Sequence, residues 1–363
     1  MSSKKDKFSS KDKYFMNIAI NLASTINGYT GHNPSVGCVI VKNNKIISFG
    51  STSFFGRPHA EINALSKTND SKGSTVYLTL EPCTHYGKTP PCTKALIKAK
   101  IKKVIYSIED SDHRTANKAK KILNKNKIIV SSGLLKNRSK NLYKNYNFSK
   151  KNLLPYVIGK LACSNNFKIF NNSKVISNKH SNQVTHLLRS KNQAILTTYK
   201  TINIDNPKLN CRILGKERFS PFKFIVDRDL KIKIDSHILH NGNKTFIFHS
   251  SINNSKLNYL KSIGVKTYFM KREKNNFLDL LKILRNIYKL GLTSVIIEAG
   301  PNFLSRMLKE NLINEFYLFK SDKSISKYET INVNNIIKFL HGNYSFSKKV
   351  NTYLDKDILL HYY

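Results

Sequence analysis

Apolar positions along the chain change period several times, and each change predicts an element. Residues 13–23 place Phe15, Met16, Ile18, Ala19, Leu22 and Ala23 on one face of a helix. A turn of Gly31, His32, Asn33, Pro34 and Ser35 follows. It feeds an apolar strand over 36–42, the polar pair Asn43-Asn44 and a second strand over 45–50, a β-hairpin pattern. A helix opens near His59 or Ala60, with Pro58 in the tolerated first-turn region. Strands over 75–80, 103–108 and 127–130 then alternate with helices over 93–100 and 116–124. Such alternation predicts an α/β sandwich with its sheet covered on both faces.

The stretch 134–151 is rich in Lys and Asn and reads as a helical bridge between domains. A second alternating series begins at 155–159. It continues with strands over 194–198, 222–226, 245–248, 265–269, 294–297, 315–319 and 357–361, and helices over 181–189, 257–262, 277–290 and 302–309. The segment 320–349 carries no clear period and reads as irregular. With 363 residues, two domains are expected, at 1–150 and 151–363.

Composition adds limits. The purest apolar run, Val36 to Val41, has the length of a buried strand and falls far short of a membrane span, so no membrane is expected as a partner. The first residues lack the apolar core of a secretory signal, and five cysteines make a sparse, odd set. Both features predict a reducing, cytoplasmic setting. Lys+Arg number 62 against 22 Asp+Glu, a formal net charge of +40. The positive charge is dispersed among abundant Lys, Asn and Ile, and Trp is absent, a pattern of mutational drift rather than a binding stripe. No nucleic-acid partner is expected, although the field favours phosphorylated substrates.

The candidate chemistry lies in three short motifs. His59-Ala60-Glu61 precedes Glu81-Pro82-Cys83, and Cys92 closes a polar loop. One imidazole and two thiolates suit a catalytic zinc site with an open fourth position. Glu61, two residues after the histidine, is the expected proton shuttle. The competing reading is a core histidine with two cysteines acting as small hydrophobes. In the second half, Glu298-Ala299-Gly300-Pro301-Asn302 marks a strand end entering a helix, the place where α/β folds bind phosphates.

His59-Ala60-Glu61 with Pro82-Cys83 resembles the zinc-dependent cytidine-deaminase superfamily, whose members mostly close the site with Cys-x-x-Cys. Here eight residues separate Cys83 from Cys92. The run Glu81-Pro82-Cys83-x-His85-x-Gly87-x-Thr89-Pro90-Pro91-Cys92 is similar to the signature of riboflavin-biosynthesis deaminases, usually fused to a reductase, and Asn33-Pro34-Ser35-Val36-Gly37-Cys38 matches their N-terminal motif. This resemblance implies a cytidine-deaminase-like three-layer α/β/α sandwich followed by a dihydrofolate-reductase-like α/β domain. It also implies Zn2+ and NADPH as cofactors, a phosphoribosyl pyrimidine as small-molecule substrate, and a homo-oligomer. The first domain would deaminate 2,5-diamino-6-(5-phosphoribosylamino)pyrimidin-4(3H)-one, and the second would reduce the ribosyl group of the product to ribityl.

The resemblance further implies residue roles. Asn33 would read the pyrimidine, with His85 and Lys88 near the ribose phosphate. Ser173, Arg189, Leu209, Arg212 and Glu298 would bind the second substrate. Ala162, Thr201, Asp205 and the run Gly300, Pro301, Asn302, Phe303, Leu304, Ser305 and Arg306 would hold the cofactor. Some positions depart from the family pattern. Ser164-Asn165-Asn166-Phe167-Lys168 replaces Ser-Leu-Asp-Gly-Lys and is expected to lose its tight turn. Val175 stands for a tryptophan, Thr52 for a histidine, Phe319-Lys320-Ser321-Asp322-Lys323 for a Pro-Lys-x-x-Gly segment, and Asp110-Ser111-Asp112-His113 for Asp-Pro-Asn-Pro. Alternatives are a deaminase with a decayed second domain, a tRNA adenosine deaminase and a basic nucleic-acid-binding protein.

Overall fold

The computed structural model describes residues 7–170, 172, 175–240, 242–326, 330–345 and 347–363. The chain divides into two compact units, Met1–Leu153 and Leu154–Tyr363. Among the described residues no helix is long and apolar enough to cross a membrane.

In the first unit, α1 (Ser10–Thr25) begins earlier than its apolar face does. A capping box starts it: the Ser9 hydroxyl accepts the Asp12 N–H, and the Asp12 carboxylate accepts the Ser9 N–H. The sheet holds β1 (Gly37–Lys42), β2 (Lys45–Ser51), β3 (Thr75–Leu80), β4 (Lys103–Ile108) and β5 (Ile129–Ser132) in the order β2-β1-β3-β4-β5. β1 pairs antiparallel with β2 and β3, whereas β3, β4 and β5 run parallel. Val39, Val41, Tyr77 and Ile105 face α1 through Phe15, Met16, Ala19 and Ile20. Their alternates Cys38, Ile40, Val76, Leu78, Val104 and Tyr106 pack with Ala60, Ala64, Leu96 and Leu123. Those four belong to α2 (Ala60–Leu65), α3 (Cys92–Lys98) and α4 (Ala119–Lys125), which cover the second face. Gly37 permits the closest approach, since a Cβ there would lie 1.9 Å from the Ala19 carbonyl oxygen on α1.

The stretch expected to bridge the domains is part of the first unit. It forms α5 (Lys136–Leu142) and α6 (Lys144–Asn152). Tyr143 is buried, its hydroxyl 2.6 Å from Thr79 Oγ1 on β3 and donating to the Ser35 carbonyl at 3.0 Å. Lys136, Asn137, Lys140, Asn141, Lys144 and Lys151, which suggested a linker, are exposed, whereas Ser139, Tyr143 and Ser149 are buried.

In the second unit the strands are β6 (Tyr156–Cys163), β8 (Ala194–Thr198), β9 (Phe222–Val226), β10 (Thr245–His249), β11 (Lys266–Phe269), β12 (Ser294–Ile297), β13 (Glu315–Lys320), β15 (Ser347–Lys349) and β16 (Ile358–Tyr362). They form a nine-stranded sheet, β11-β10-β9-β8-β12-β6-β13-β16-β15. The run from β11 to β13 is parallel, and β16 and β15 close the edge antiparallel. Both faces are apolar, as buried parallel strands require. Leu196, Phe224, Phe246, Val295 and Ile297 meet α10 (Leu280–Lys289) and α11 (Pro301–Lys309), while Ile195, Ile225, Ile247 and Ile296 meet Ile202 and Leu260. Ile202 lies on α8 (Tyr199–Asp205), a short helix the sequence pattern did not predict; Leu260 lies on α9 (Asn254–Ser262). α7 (Lys179–Lys191) follows the small ribbon of β7 (Lys168–Phe170) with β14 (Thr330–Asn332). The segment expected to be irregular contains α12 (Asn334–Asn343), whose Ile336, Ile337 and Leu340 reach the core.

The turn expected to be lost before β7 is retained. Phe167 takes the left-handed conformation at φ 54°, and its N–H donates to the Ser164 carbonyl at 3.1 Å. Asn166 accepts the Ser164 hydroxyl at 2.6 Å and the Ile325 N–H at 3.1 Å. The Phe167 ring packs against the core and receives Lys320 Nζ at 4.7 Å from its centroid, contacts that offset the cost of the backbone conformation.

Candidate active sites

The first site lies at the carboxyl ends of β3 and β4. His59 is the N-cap residue of α2, so Glu61 falls in that helix's first turn and is buried. Cys83 follows β3 by three residues, and Cys92 is the first residue of α3. Sequence placed both cysteines near a helix start; in space, Cys83 meets that condition because its sulfur accepts the Cys92 backbone N–H at 3.2 Å. His59 Nδ1 stands 3.3 Å from Cys92 Sγ and 3.7 Å from Cys83 Sγ. The three ligand atoms lie within 4.8 Å of one another. Glu81 is structural: its carboxylate receives the backbone N–H groups of Asp110, Asn117 and Ala119 at 3.2, 3.0 and 2.9 Å.

Electrostatics divide the thiols. A hydrogen bond from the Cys92 thiol, then those from His59 and the Cys92 amide, hold Cys83 down at about 4 against its burial. Cys92, donating to that thiolate and buried, is pushed up. The Cys83 thiolate raises His59 as well. Burial raises Glu61, and the adjacent Cys83 charge adds to it.

These groups open into a cavity of about 420 Å³. Asn33, His85 and Lys88 line it, as does Thr52. The Asn33 amide is oriented by donating to the Gly56 carbonyl at 2.8 Å. His85 Nδ1 lies 3.2 Å from the Thr115 hydroxyl. Thr52 accepts the Val36 N–H and donates to the Pro34 carbonyl, so its hydroxyl is spent on the turn that carries Asn33. Sequence reading did not assign Arg57, Arg114, Tyr146 and Lys150, which also line the cavity. A usable signal existed for two of them: Tyr143, Tyr146 and Lys150 recur at helical spacing in the stretch read as a bridge.

The second unit gathers its candidates at the carboxyl ends of its parallel strands. β6 pairs with β12 only as far as Gly159 and then continues beside β13 to Cys163. The stretch containing Ala162 thus runs past the end of β12, where Glu298 leads into Gly300, the N-cap of α11. Thr198 caps α8, whose Thr201 N–H it accepts at 3.4 Å, and Asp205 ends that helix. Pro301 occupies the first helical position, and a Cβ on Gly300 would meet nothing within 4 Å.

Several candidates there are already engaged. Arg189 donates twice to Glu298, Nε to Oε1 at 2.6 Å and Nη2 to Oε2 at 2.9 Å, and again to the Asn210 carbonyl at 3.3 Å. Burial opposes ionisation of Glu298, yet Arg189 and then Lys160 hold its carboxyl below the usual range. Arg212 is exposed and donates to Asn210 Oδ1 at 3.1 Å, while Leu209 is buried at φ 46°. Leu304 is in the core, and Arg306 pairs with Glu310 and Glu273 and lies over the Phe277 ring. Val175 is exposed, and Ser173 lies outside the described residues.

Two family models match the chain. Residues 9–108 match the zinc-binding region of cytidine and deoxycytidylate deaminases, and residues 168–322 match the RibD C-terminal domain. The riboflavin biosynthesis protein RibD of Aquifex aeolicus is 31% identical over 354 residues, covering 96% of this chain and 97% of that protein. The chain belongs to the RibD family. It is a bifunctional deaminase/reductase of riboflavin biosynthesis, with both domains present. Another family member, from Buchnera aphidicola, is 32% identical over 337 residues, covering 88% of this chain and 89% of that protein. Acinetobacter baumannii RibD superposes with a TM-score of 0.86 at 29% identity, covering 97% of this chain and 98% of that one. The Thermotoga maritima structure titled diaminohydroxyphosphoribosylaminopyrimidine deaminase/5-amino-6-(5-phosphoribosylamino)uracil reductase gives 0.80 at 29% identity, with the same coverage. Because both units match that family, the readings as a tRNA deaminase or a nucleic-acid-binding protein fall away.

Proposed function

We propose that the first unit holds one zinc ion on His59, Cys83 and Cys92 and releases ammonia from 2,5-diamino-6-(5-phosphoribosylamino)pyrimidin-4(3H)-one, and that the second reduces the deaminated product with NADPH. The observation that carries the reading is the convergence of two sulfurs and one ring nitrogen beside buried Glu61, at the wall of a cavity that also presents cations. The donor set fits the metal, since zinc favours thiolate and imidazole ligands in a tetrahedral arrangement with one position open. When bound, zinc supplies the Lewis acidity that makes water a nucleophile near neutral pH. Glu61 accepts the proton lost by the attacking water and passes it to the departing amine, a task suited to a carboxylate whose proton affinity burial has raised. The Asn33 amide, oriented by Gly56, positions the pyrimidine.

In the second unit the amide end of α11 and the turn at Gly300 receive the cofactor phosphates. Glu298 and Arg189 hold the polar end of the substrate, and Thr201 and Asp205 lie beside the cofactor. NADPH supplies the hydride for C1′ of the ribosyl group. The bonding of Phe167 and Asn166 favours a working reductase over a decayed one, because the turn beside β6 is preserved.

The test has two arms. Purified protein is expected to hold about one zinc per chain, and Glu61→Gln is expected to retain it while losing ammonia release by roughly 10²–10⁴-fold; undiminished turnover would remove Glu61 from the mechanism. The deaminated intermediate is then supplied with NADPH and absorbance followed at the nicotinamide band. Absence of oxidation under all conditions would reduce the second unit to a scaffold.

A further inference from the structure

Asp112 stands where the family pattern has asparagine, and the structure surrounds it with cations. Arg114 Nε donates to Asp112 Oδ1 at 2.9 Å and Nη2 to Oδ2 at 2.6 Å, while Lys150 Nζ reaches Oδ2 at 3.0 Å. The carboxylate is nearly buried, and the Arg114 bonds hold it well below the usual acid range. One negative charge thus faces two positive ones, and the cluster as a whole carries an excess cation. Arg114 and Lys150 both line the deaminase cavity, and their side chains remain 51% and 25% exposed. Two of the five guanidinium N–H groups and one of the three ammonium N–H groups are used on Asp112, so both retain donors.

The loop is also fixed against the metal-proximal loop. Thr84 donates to the Arg114 carbonyl at 3.2 Å, and Thr115 contacts His85. β3 and β4 pair in parallel register through Leu80 and Ile108, so the two loops leave adjacent strands at the same edge.

We propose that Arg114 and Lys150, held in place by Asp112, are phosphate-selecting residues of the deaminase pocket, binding the phosphate monoester of the substrate through charge-assisted hydrogen bonds. The inference rests on the deaminase reading above and extends it to residues outside the motifs. Asp112 acts as a positioning residue: it fixes an arginine fork and an ammonium at one place on the wall before the anion arrives, so less ordering is left for binding. Guanidinium suits this task because its planar donors match phosphate oxygens.

The experiment compares the phosphorylated diaminopyrimidine with its dephosphorylated ribosylamino counterpart. Arg114→Gln/Lys150→Gln is set against Lys120→Gln/Lys121→Gln, which removes the same charge from exposed positions on α4. The kcat/KM preference for the phosphorylated compound is expected to fall by about tenfold or more in the first variant and by less than about twofold in the second. Arg114→Lys is expected to retain part of the preference. Calorimetric titration with ribose 5-phosphate provides a readout independent of turnover. The second unit is intact in every variant, so one binding event weakened only in Arg114→Gln/Lys150→Gln belongs to this cluster. Equal loss for both substrates, an unchanged preference, or identical ribose 5-phosphate isotherms would overturn the assignment. Absence of ammonia release from either substrate by the parent protein would instead refute the deaminase reading, leaving the isotherms to decide the phosphate site.

Discussion

Replacing Arg189 with methionine isolates the charge pair at the end of β12. The substitution keeps most of the side-chain volume and removes the fork that holds Glu298. Both side chains are 11% exposed, so water replaces little of what is lost. Opposite charges at about 4 Å attract by about 4 kcal/mol at an effective dielectric of about 20, and breaking one partner of a buried pair costs about 3–5 kcal/mol. Lys160 remains near Glu298 and offsets part of this, which places the expected loss at about 3 kcal/mol, a large share of an ordinary domain's stability. The pH dependence has a defined sign. In the parent protein Glu298 is held below its unfolded value, so its contribution is present above about pH 4.3 and is lost as pH falls through the folded value. In Arg189→Met burial dominates and the folded value rises, so the deficit is greatest near neutrality and shrinks toward pH 4. Adding Glu298→Gln removes the stranded charge and is expected to recover at least about half of the loss. Hydrogen exchange of β12 and α7 amides in the full chain, read from pH 4.5 to 7.5, measures all three variants. A loss below about 1 kcal/mol, or a double variant no better than Arg189→Met, would refute the pair as a stabilising element.

Three further outcomes are expected. Cys92→Ala should cut zinc content below about a tenth of one ion per chain by metal analysis, because two ligands remain where three converge. Asp110→Asn should flatten the stability profile between about pH 4 and 6. Burial pushes Asp110 up to about 6, so its penalty is absent below its unfolded pKa of about 3.9 and complete above the folded value; denaturant midpoints across that window would show it, and a slope equal to the parent's would exclude Asp110 as its source. Gly37→Ala should destabilise the first unit by about 3 kcal/mol or more, because a methyl group cannot occupy space 1.9 Å from the Ala19 carbonyl without parting α1 from β1; a midpoint within error of the parent would mean that the helix can move.

The parallel strands of both sheets were legible because buried parallel strands are short apolar runs between polar turns, as in Thr75–Leu80 and Phe222–Val226, whereas the exposed edge strand β15 fell in a stretch read as irregular. The cluster of His59, Cys83 and Cys92 was legible because those residue types have few structural substitutes at that spacing. Other parts were hidden for physical reasons. α8 buries chiefly Ile202, so seven residues give no period to detect. α5 and α6 bury Ser139 and Ser149, with Tyr143 buried between them, residues that composition alone reads as polar linker. Arg189 and Glu298 were each legible as polar residues at a strand or helix end; their pairing was not, because 109 residues separate them and only the sheet brings them together.

The departures from the family pattern carry a common argument. A substitution that breaks a local rule is tolerable where neighbouring groups supply what was lost. Phe167 occupies a left-handed position normally reserved for glycine, and the ring's core contact and Lys320 offset the backbone cost. Asp112 brings a charge into a pocket wall, and Arg114 with Lys150 neutralises it and leaves a net cation. In both places the new side chain is compensated by lysines or arginines, which this chain has in excess. A high positive charge that is dispersed along the sequence still acts locally, wherever a carboxylate or an aromatic ring gives one of those cations a fixed place. The same excess that gives no nucleic-acid stripe supplies the pocket wall with Arg57, Lys88, Arg114 and Lys150.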